Sequence, residues 1–105
     1  MKNNKIPNIF LTGFMGAGKS TVGKHVAKKL TYDFVDIDEI LENKTGKSVS
    51  EIFQQEGESH FRDMENQALS DCLGKKNIVV SLGGGTLIDP DNATDVKENG
   101  VLIYL

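Results

Sequence analysis

The chain has 105 residues, 38% of them apolar and 26% charged, with a formal net charge of -3. That length suits one small domain, the even composition excludes a disordered chain, and the negative charge gives no sign of a nucleic-acid-binding surface. The single cysteine, Cys72, excludes an internal disulfide and fits a reducing compartment, no apolar run approaches a membrane span, and the polar start from Met1 to Lys5 lacks a signal-peptide pattern, so a cytoplasmic protein without a membrane partner is expected.

After a polar lead-in and Pro7, the apolar run Ile9-Phe10-Leu11 predicts a buried strand. Gly13-Phe14-Met15-Gly16-Ala17-Gly18-Lys19-Ser20 follows, then a helix from Ser20 to Leu30 whose Val22, Val26 and Leu30 recur every four residues and so share a face. Tyr32 to Asp38 reads as a second strand ending in acidic residues, followed by a helix from about Asp38 to Asn43 that closes near Thr45-Gly46. Ser48-Val49-Ser50-Glu51 fits a capping box, opening a short helix that ends near Gly57. From about Glu58 to Leu73 the positions Phe61, Met64, Ala68, Leu69, Cys72 and Leu73 follow helical spacing, with Cys72 expected as a small buried hydrophobe. Gly74 ends that helix, and Asn77 to Leu82 is a β-branched strand suited to the middle of a sheet. Three glycines, Gly83-Gly84-Gly85, come next. Asp89-Pro90 starts another helix, Asn99-Gly100 ends it, and Val101 to Leu105 is a fourth strand. Strands alternating with helices imply parallel pairing and an α/β fold. A parallel sheet has helices on both faces, so a chain whose last residues are an apolar strand is expected to be cut short.

Three constellations carry chemistry. Gly13 to Ser20 matches the P-loop pattern, glycine, four residues, glycine, lysine, serine or threonine, between a strand and a helix. Such a loop turns successive N–H groups toward one anion, and the following helix adds its N-terminal partial charge. Lys19 can then reach terminal phosphates, and the Ser20 hydroxyl can ligate Mg2+. Asp36 and Asp38 stand two apart at the C-terminal end of a strand, where open parallel sheets bind ligands. In an extended segment they project to one side: one to hold magnesium through water, the other to orient and deprotonate an acceptor hydroxyl, unless the pair is an acidic helix cap. Gly83 to Gly85 gains nothing from packing and reads either as a flexible turn or as a place where a small ligand approaches the backbone. Beside these, Arg62 and Glu65 stand three apart on a helix. They form either a solvated surface pair or a guanidinium steadied by Glu65 and aimed at a substrate carboxylate. His25 and His60 have no partners at metal or triad spacing and read as surface residues.

Taken together, these residues resemble the shikimate kinase family. The features come in the family's order from Ile9 to Leu105: Gly13 to Ser20, Asp36-Ile37-Asp38, Ile52-Phe53, Gly57-Glu58, Phe61-Arg62 with Glu65, and Gly83-Gly84-Gly85. The resemblance implies a three-layer P-loop kinase fold and transfer of the ATP γ-phosphate to the 3-hydroxyl of shikimate. It assigns the nucleotide to Gly13, Gly16, Ala17, Gly18, Lys19, Ser20 and Thr21, and Mg2+ to Ser20 and Asp36. Asp38 becomes the base, with Lys19 acting on the phosphates. Shikimate falls to Asp38, Arg62 at its carboxylate, Phe53 and Phe61 as walls, and Gly83, Gly84 and Gly85. Family members continue into an arginine-bearing lid, a second substrate arginine, a fifth strand and an adenine-contacting segment. None of these falls within the 105 residues, which are expected to form one incomplete domain and to turn over at least about a thousandfold more slowly than a lidded enzyme.

Three other readings stand beside that one. A gluconate kinase shares the P-loop and the acidic pair but is disfavoured by Phe61-Arg62 and the triple glycine. A non-catalytic module would hold phosphate or shikimate without turnover. A structural fragment would self-associate through its exposed last strand instead of remaining a monomer.

Overall fold

The computed structural model describes residues 7–13 and 19–105. The elements run β1 (Asn8–Thr12), α1 (Lys19–Leu30), β2 (Asp33–Asp36), α2 (Ile37–Thr45), α3 (Val49–Leu73), β3 (Ile78–Ser81), a 3-10 turn (Thr86–Ile88), α4 (Pro90–Asn99) and β4 (Gly100–Tyr104). The strands form a parallel sheet in the order β2-β3-β1-β4. Phe10 pairs with Val80 on one side of β1 and with Leu102 on the other. Asn8 ties the strand starts together: its side chain donates to the Lys75 carbonyl at 2.8 Å and accepts from the Ile78 N–H at 3.2 Å.

Alternation along the strands divides the core into two layers. Phe10, Ile78, Val80 and Leu82 face α2, α3 and α4, where they meet Ile37, Leu41, Ile52, Phe61, Leu69 and Val96. Ile9, Leu11 and Val79 face α1, where they meet Ala27. The result is an α/β architecture of helix, sheet and helix, as expected from alternating strands and helices.

The local punctuation follows the sequence signals. Gly46 takes the left-handed conformation (φ 73°) after α2, and Ser48 and Glu51 form the reciprocal capping box that opens α3. Gly57 (φ 87°, ψ 162°) breaks α3 into the two helical pieces that its sequence implied. Asp89 caps α4, with Pro90 in its first turn. Cys72 is buried, and burial pushes its thiol pKa up.

Two expectations need correction. The Val22, Val26, Leu30 row forms only one flank of the packing face of α1. Gly23 and Ala27 are buried, Val26 and Leu30 flank them, and Val22 is exposed. The helix comes so close to the sheet that a Cβ on Gly23 would run into the Phe34 ring and stand 3.1 Å from Leu11 Cδ1. Only small residues fit along that line, which turns the valine row partly outward. The second strand also stops at Asp36, not Asp38. Asp36 accepts from the Glu39 N–H at 3.2 Å and caps α2, which starts at Ile37, one residue before the expected start near Asp38. The 3-10 turn at Thr86–Ile88 had no sequence signal beyond the glycines before it.

Candidate active site

The site lies at the C-terminal edge of the sheet, where β1, β2 and β3 hand over to the helices. Lys19 is the first residue of α1, and its Nζ donates to the Leu82 carbonyl at 2.9 Å. Ser20 beside it donates its hydroxyl to Asp36 Oδ2 at 2.8 Å. Both oxygens of Asp36 are therefore engaged, Oδ1 capping α2 and Oδ2 receiving Ser20. Thr21 is exposed in the first turn of α1. Gly16, Ala17 and Gly18 of the predicted phosphate loop lie outside the described residues. Gly13 sits at the loop's entrance, where a Cβ would stand 2.8 Å from the Leu105 carbonyl oxygen.

Asp38 is in the first turn of α2, so its alignment with Asp36 comes from a cap followed by a helical turn and not from two positions of one strand. The outcome for the site is similar. Lys19, Ser20, Asp36, Asp38, Ser81, Leu82 and Gly84 line one cavity of about 210 Å³. Burial raises the Asp38 pKa from 3.8 to about 6, and the neighbouring carboxylates of Asp36, Glu65 and Glu42 add to the rise while Lys19 opposes it.

Behind this cavity stands Arg62. Its Nη1 donates to Glu65 Oε1 at 2.7 Å, and Glu65 is only 1% exposed. The pair is thus not a solvated surface contact. A second carboxylate, Glu58, lies 3.7 Å from Arg62 Nη2, and the Arg62 Cζ lies 5.4 Å from the centroid of the Phe61 ring. Phe53 packs against Phe61 at 5.6 Å between centroids. Neither phenylalanine is among the residues lining the two cavities at Arg62 and Asp38; Phe61 stands beside Arg62, and Phe53 packs on Phe61. The second cavity, about 230 Å³, is lined by Arg62, Glu65, Gly85, Thr86 and Asn92 among others.

The three glycines differ in what surrounds them. A Cβ on Gly83 would stand 2.6 Å from Glu65 Oε2 and 2.8 Å from Asp38 Oδ1, and one on Gly85 would stand 2.6 Å from Arg62 Nη2. The protein's own charged groups occupy those places. Beside Gly84 there is nothing within 4 Å, and Gly84 lines the Asp38 cavity. His25 is exposed, and His60 is exposed on the far side of the Gly57 break, paired with Glu56 at 3.0 Å.

Sequence reasoning treated Glu65 only as a partner for Arg62, although it falls four residues from both Phe61 and Leu69 on the buried stripe, which was the signal of its burial. Thr86, Asn66 and Asn92 were missed. Thr86 Oγ1 donates to Glu65 Oε2 at 3.2 Å, and Asn92 Nδ2 donates to the Thr86 carbonyl and to Asn66 Oδ1. No local pattern announces them, because they meet only when α3 and α4 pack together.

The chain matches the family model described as shikimate kinase over residues 15–105. It is 53% identical over 98 residues to a shikimate kinase of Persephonella marina, covering 93% of this chain and 60% of that protein. To the shikimate kinase of Chlorobium limicola it is 50% identical over 105 residues, covering 100% of this chain and 52% of that one. The chain therefore spans about half to three fifths of the length of these curated relatives. Among solved structures, a shikimate kinase from Acinetobacter baumannii in complex with shikimate superposes with a TM-score of 0.90 at 42% identity, covering 95% of this chain and 56% of that chain. One from Bacteroides thetaiotaomicron gives 0.89 at 40% identity, covering 94% and 56%. With the family model matching from within the phosphate loop to the last residue, and the same sheet and helices found in both solved structures, the chain belongs to the shikimate kinase family.

Proposed function

We propose that this site serves the ATP-dependent phosphorylation of shikimate at its 3-hydroxyl, giving shikimate 3-phosphate and ADP. One observation carries the reading: the Asp38 carboxylate shares a single cavity with Lys19, Ser20 and Asp36 on one side and the open backbone of Gly84 on the other. In this reading Asp38 is the base, working between the residues that hold the phosphates and the backbone that accepts the hydroxyls. Asp38 takes the proton of the acceptor hydroxyl while its oxygen bonds to the γ-phosphorus. The bond to the β–γ bridging oxygen breaks, and ADP leaves with that electron pair. A carboxylate with a pKa near 6 is a competent base close to neutral pH.

Lys19, released from the Leu82 carbonyl, would turn its charge to the phosphates, with the N-terminus of α1 behind it. The Ser20 hydroxyl and the Asp36 carboxylate are hard oxygen donors lying together, the set that Mg2+ accepts when phosphates and waters complete its shell. Among the described residues no cluster of three His, Cys, Asp or Glu could form an all-protein metal cage. The ion, when bound, would neutralise charge on the β- and γ-phosphates. Arg62, fixed by Glu65, is the group to meet the acceptor's carboxylate. That arginine, with the triple glycine, favours shikimate over gluconate.

In this reading residues 1–105 belong to one P-loop kinase domain. It acts in the cytoplasm on a small molecule, as a monomer, with neither nucleic acid nor membrane as partner. Among the described residues no helix is long and apolar enough to cross a membrane. For the 105 residues taken alone, binding without turnover is the second reading. It is favoured by the lining of the Asp38 cavity, where Lys19 is the only cation among the described residues. Calorimetric titration with shikimate, then with Mg-ADP in its presence, tests both readings when paired with a coupled ADP-release assay. Shikimate binding abolished by Arg62→Ala supports the site. A folded chain that binds neither ligand would sink it, and binding with no ADP release selects the second reading.

A further inference from the structure

A buried relay of hydrogen bonds runs from α4 to the Arg62 guanidinium. It begins at Asn92, in the first turn of α4 and 7% exposed. Asn92 Nδ2 donates to the Thr86 carbonyl at 3.0 Å and to Asn66 Oδ1 at 2.6 Å, which uses both of its amide hydrogens. Thr86, 1% exposed, closes the glycine turn by donating its N–H to the Gly83 carbonyl at 3.3 Å. Its hydroxyl donates to Glu65 Oε2, while Glu65 Oε1 accepts from Arg62.

The physical stakes lie with Glu65. A carboxylate this buried is costly to hold ionised unless its oxygens have donors. Arg62 and Thr86 supply one donor to each oxygen. Removing the Thr86 hydroxyl leaves Oε2 without its partner, and Arg62, already bonded to Oε1 of the same carboxylate, is the donor placed to take it up. The guanidinium must then turn to serve both oxygens and give up its present aim across Gly85. Arg62 is part-exposed and long, so without these restraints it has several rotamers to occupy. Thr86 and Asn92 therefore act on Arg62 through the Glu65 carboxylate.

We propose that Thr86 and Asn92 are positioning residues of the acceptor site: they fix the Glu65 carboxylate and, through it, the aim of the Arg62 guanidinium. The functional half of this proposal rests on the reading of Arg62 as the group that meets the acceptor's carboxylate. The structural half does not.

Because Arg62 is the only arginine, its guanidinium NMR signals need no assignment among rivals. In the ligand-free chain, slow rotation with resolved Nη signals is expected for the wild type and for Thr86→Ser, which keeps the hydroxyl. Displaced Nε and Nη signals are expected for Thr86→Val, which keeps the shape and loses the hydroxyl, because the guanidinium turns on Glu65, and for Asn92→Ala. Unchanged Arg62 signals in a folded Thr86→Val variant would overturn the proposal, and Thr86→Ala gives the same comparison if the valine variant does not fold. In calorimetry, Thr86→Val should weaken shikimate binding about tenfold, the equivalent of one lost hydrogen bond, with Thr86→Ser restoring it and Mg-ADP affinity changed by less than about twofold. An equal loss of both ligands would mark Thr86 as merely structural and overturn the proposal. If the wild type binds no shikimate while its Arg62 signals still respond to Thr86, the functional reading fails and the positioning relay stands.

Discussion

The Ser20 hydroxyl donates to Asp36 Oδ2 at 2.8 Å, joining the first turn of α1 to the residue that ends β2 and caps α2. Two hard oxygens that already meet can pass to a shared cation with little rearrangement. Asp36→Ala removes both the carboxylate and the cap. It should weaken Mg-ADP binding by about tenfold or more and also cost about 1 kcal/mol of stability through the lost cap. Asp36→Ser keeps a capping oxygen and removes the charge, so it should recover most of the stability without recovering the magnesium dependence. Titrating ADP with and without Mg2+ against each variant separates the two roles. Equal ADP affinity with and without the ion in the wild type would rule out the assignment.

Asp38 couples function to stability with opposite signs. Its folded pKa is raised to about 6, first by burial and then by Asp36 and Glu65. Between about pH 4 and pH 6 the folded chain keeps a proton that the unfolded chain releases, so this group's contribution to stability falls as pH rises through that window. Above it, the folded state carries a charge in an unfavourable place. Asp38→Asn should therefore melt higher than the wild type at pH 7.5, by about 1 kcal/mol once partial solvent contact is allowed for, with no advantage left at pH 4. The same substitution should cut phosphoryl transfer by about a hundredfold or more through loss of the base. A variant that melts lower at pH 7.5 would contradict the electrostatic account.

The three glycines should respond differently to the same methyl group. None of them has a positive φ, so space and not backbone conformation decides. At Gly83 a Cβ meets Glu65 and Asp38, and at Gly85 it meets the Arg62 guanidinium, so Ala there should cost about 1–3 kcal/mol as these held side chains are pushed aside. Gly84→Ala meets nothing within 4 Å and should melt like the wild type while losing shikimate affinity. Thermal melts with a shikimate titration test this, and equal melting of all three variants would reject it.

Much of this was legible in the sequence because it is local. The capping box at Ser48, the left-handed Gly46, the break at Gly57 and the Asp89-Pro90 start are each written in a few adjacent residues and depend on little else. The β-branched run ending at Ser81 placed the central strand for the same reason. What periodicity misread was relative: which face of α1 meets the sheet. The answer depends on how closely Phe34 and Leu11 approach Gly23, and a hydrophobicity pattern counts Gly23 as nothing. The Asp36-Ile37-Asp38 segment was placed at the right edge with the wrong local geometry, since Asp36 caps a helix that alternation alone could not reveal. The Asn92, Thr86 and Glu65 connection was beyond reach altogether. Its hydrogen-bonded pairs are 6 and 21 residues apart and meet through tertiary packing.

β4 is an edge strand of the described sheet, and it exposes Val101, Ile103 and Tyr104 at 45%, 39% and 73%. Its hydrogen-bonding edge away from β1 has no strand partner among the described residues, so the 105-residue chain presents both an apolar surface and an unpaired ladder. At raised concentration it should self-associate through this strand. Light scattering over a dilution series should show mass growing with concentration. Ile103→Lys should abolish that growth, because a lysine on an edge strand opposes pairing with another copy. Shikimate binding should survive the substitution, since Ile103 lines neither cavity of the candidate site. A chain that stays monomeric at every concentration, or a lysine variant that associates as readily as the wild type, would show that β4 is not the self-pairing surface.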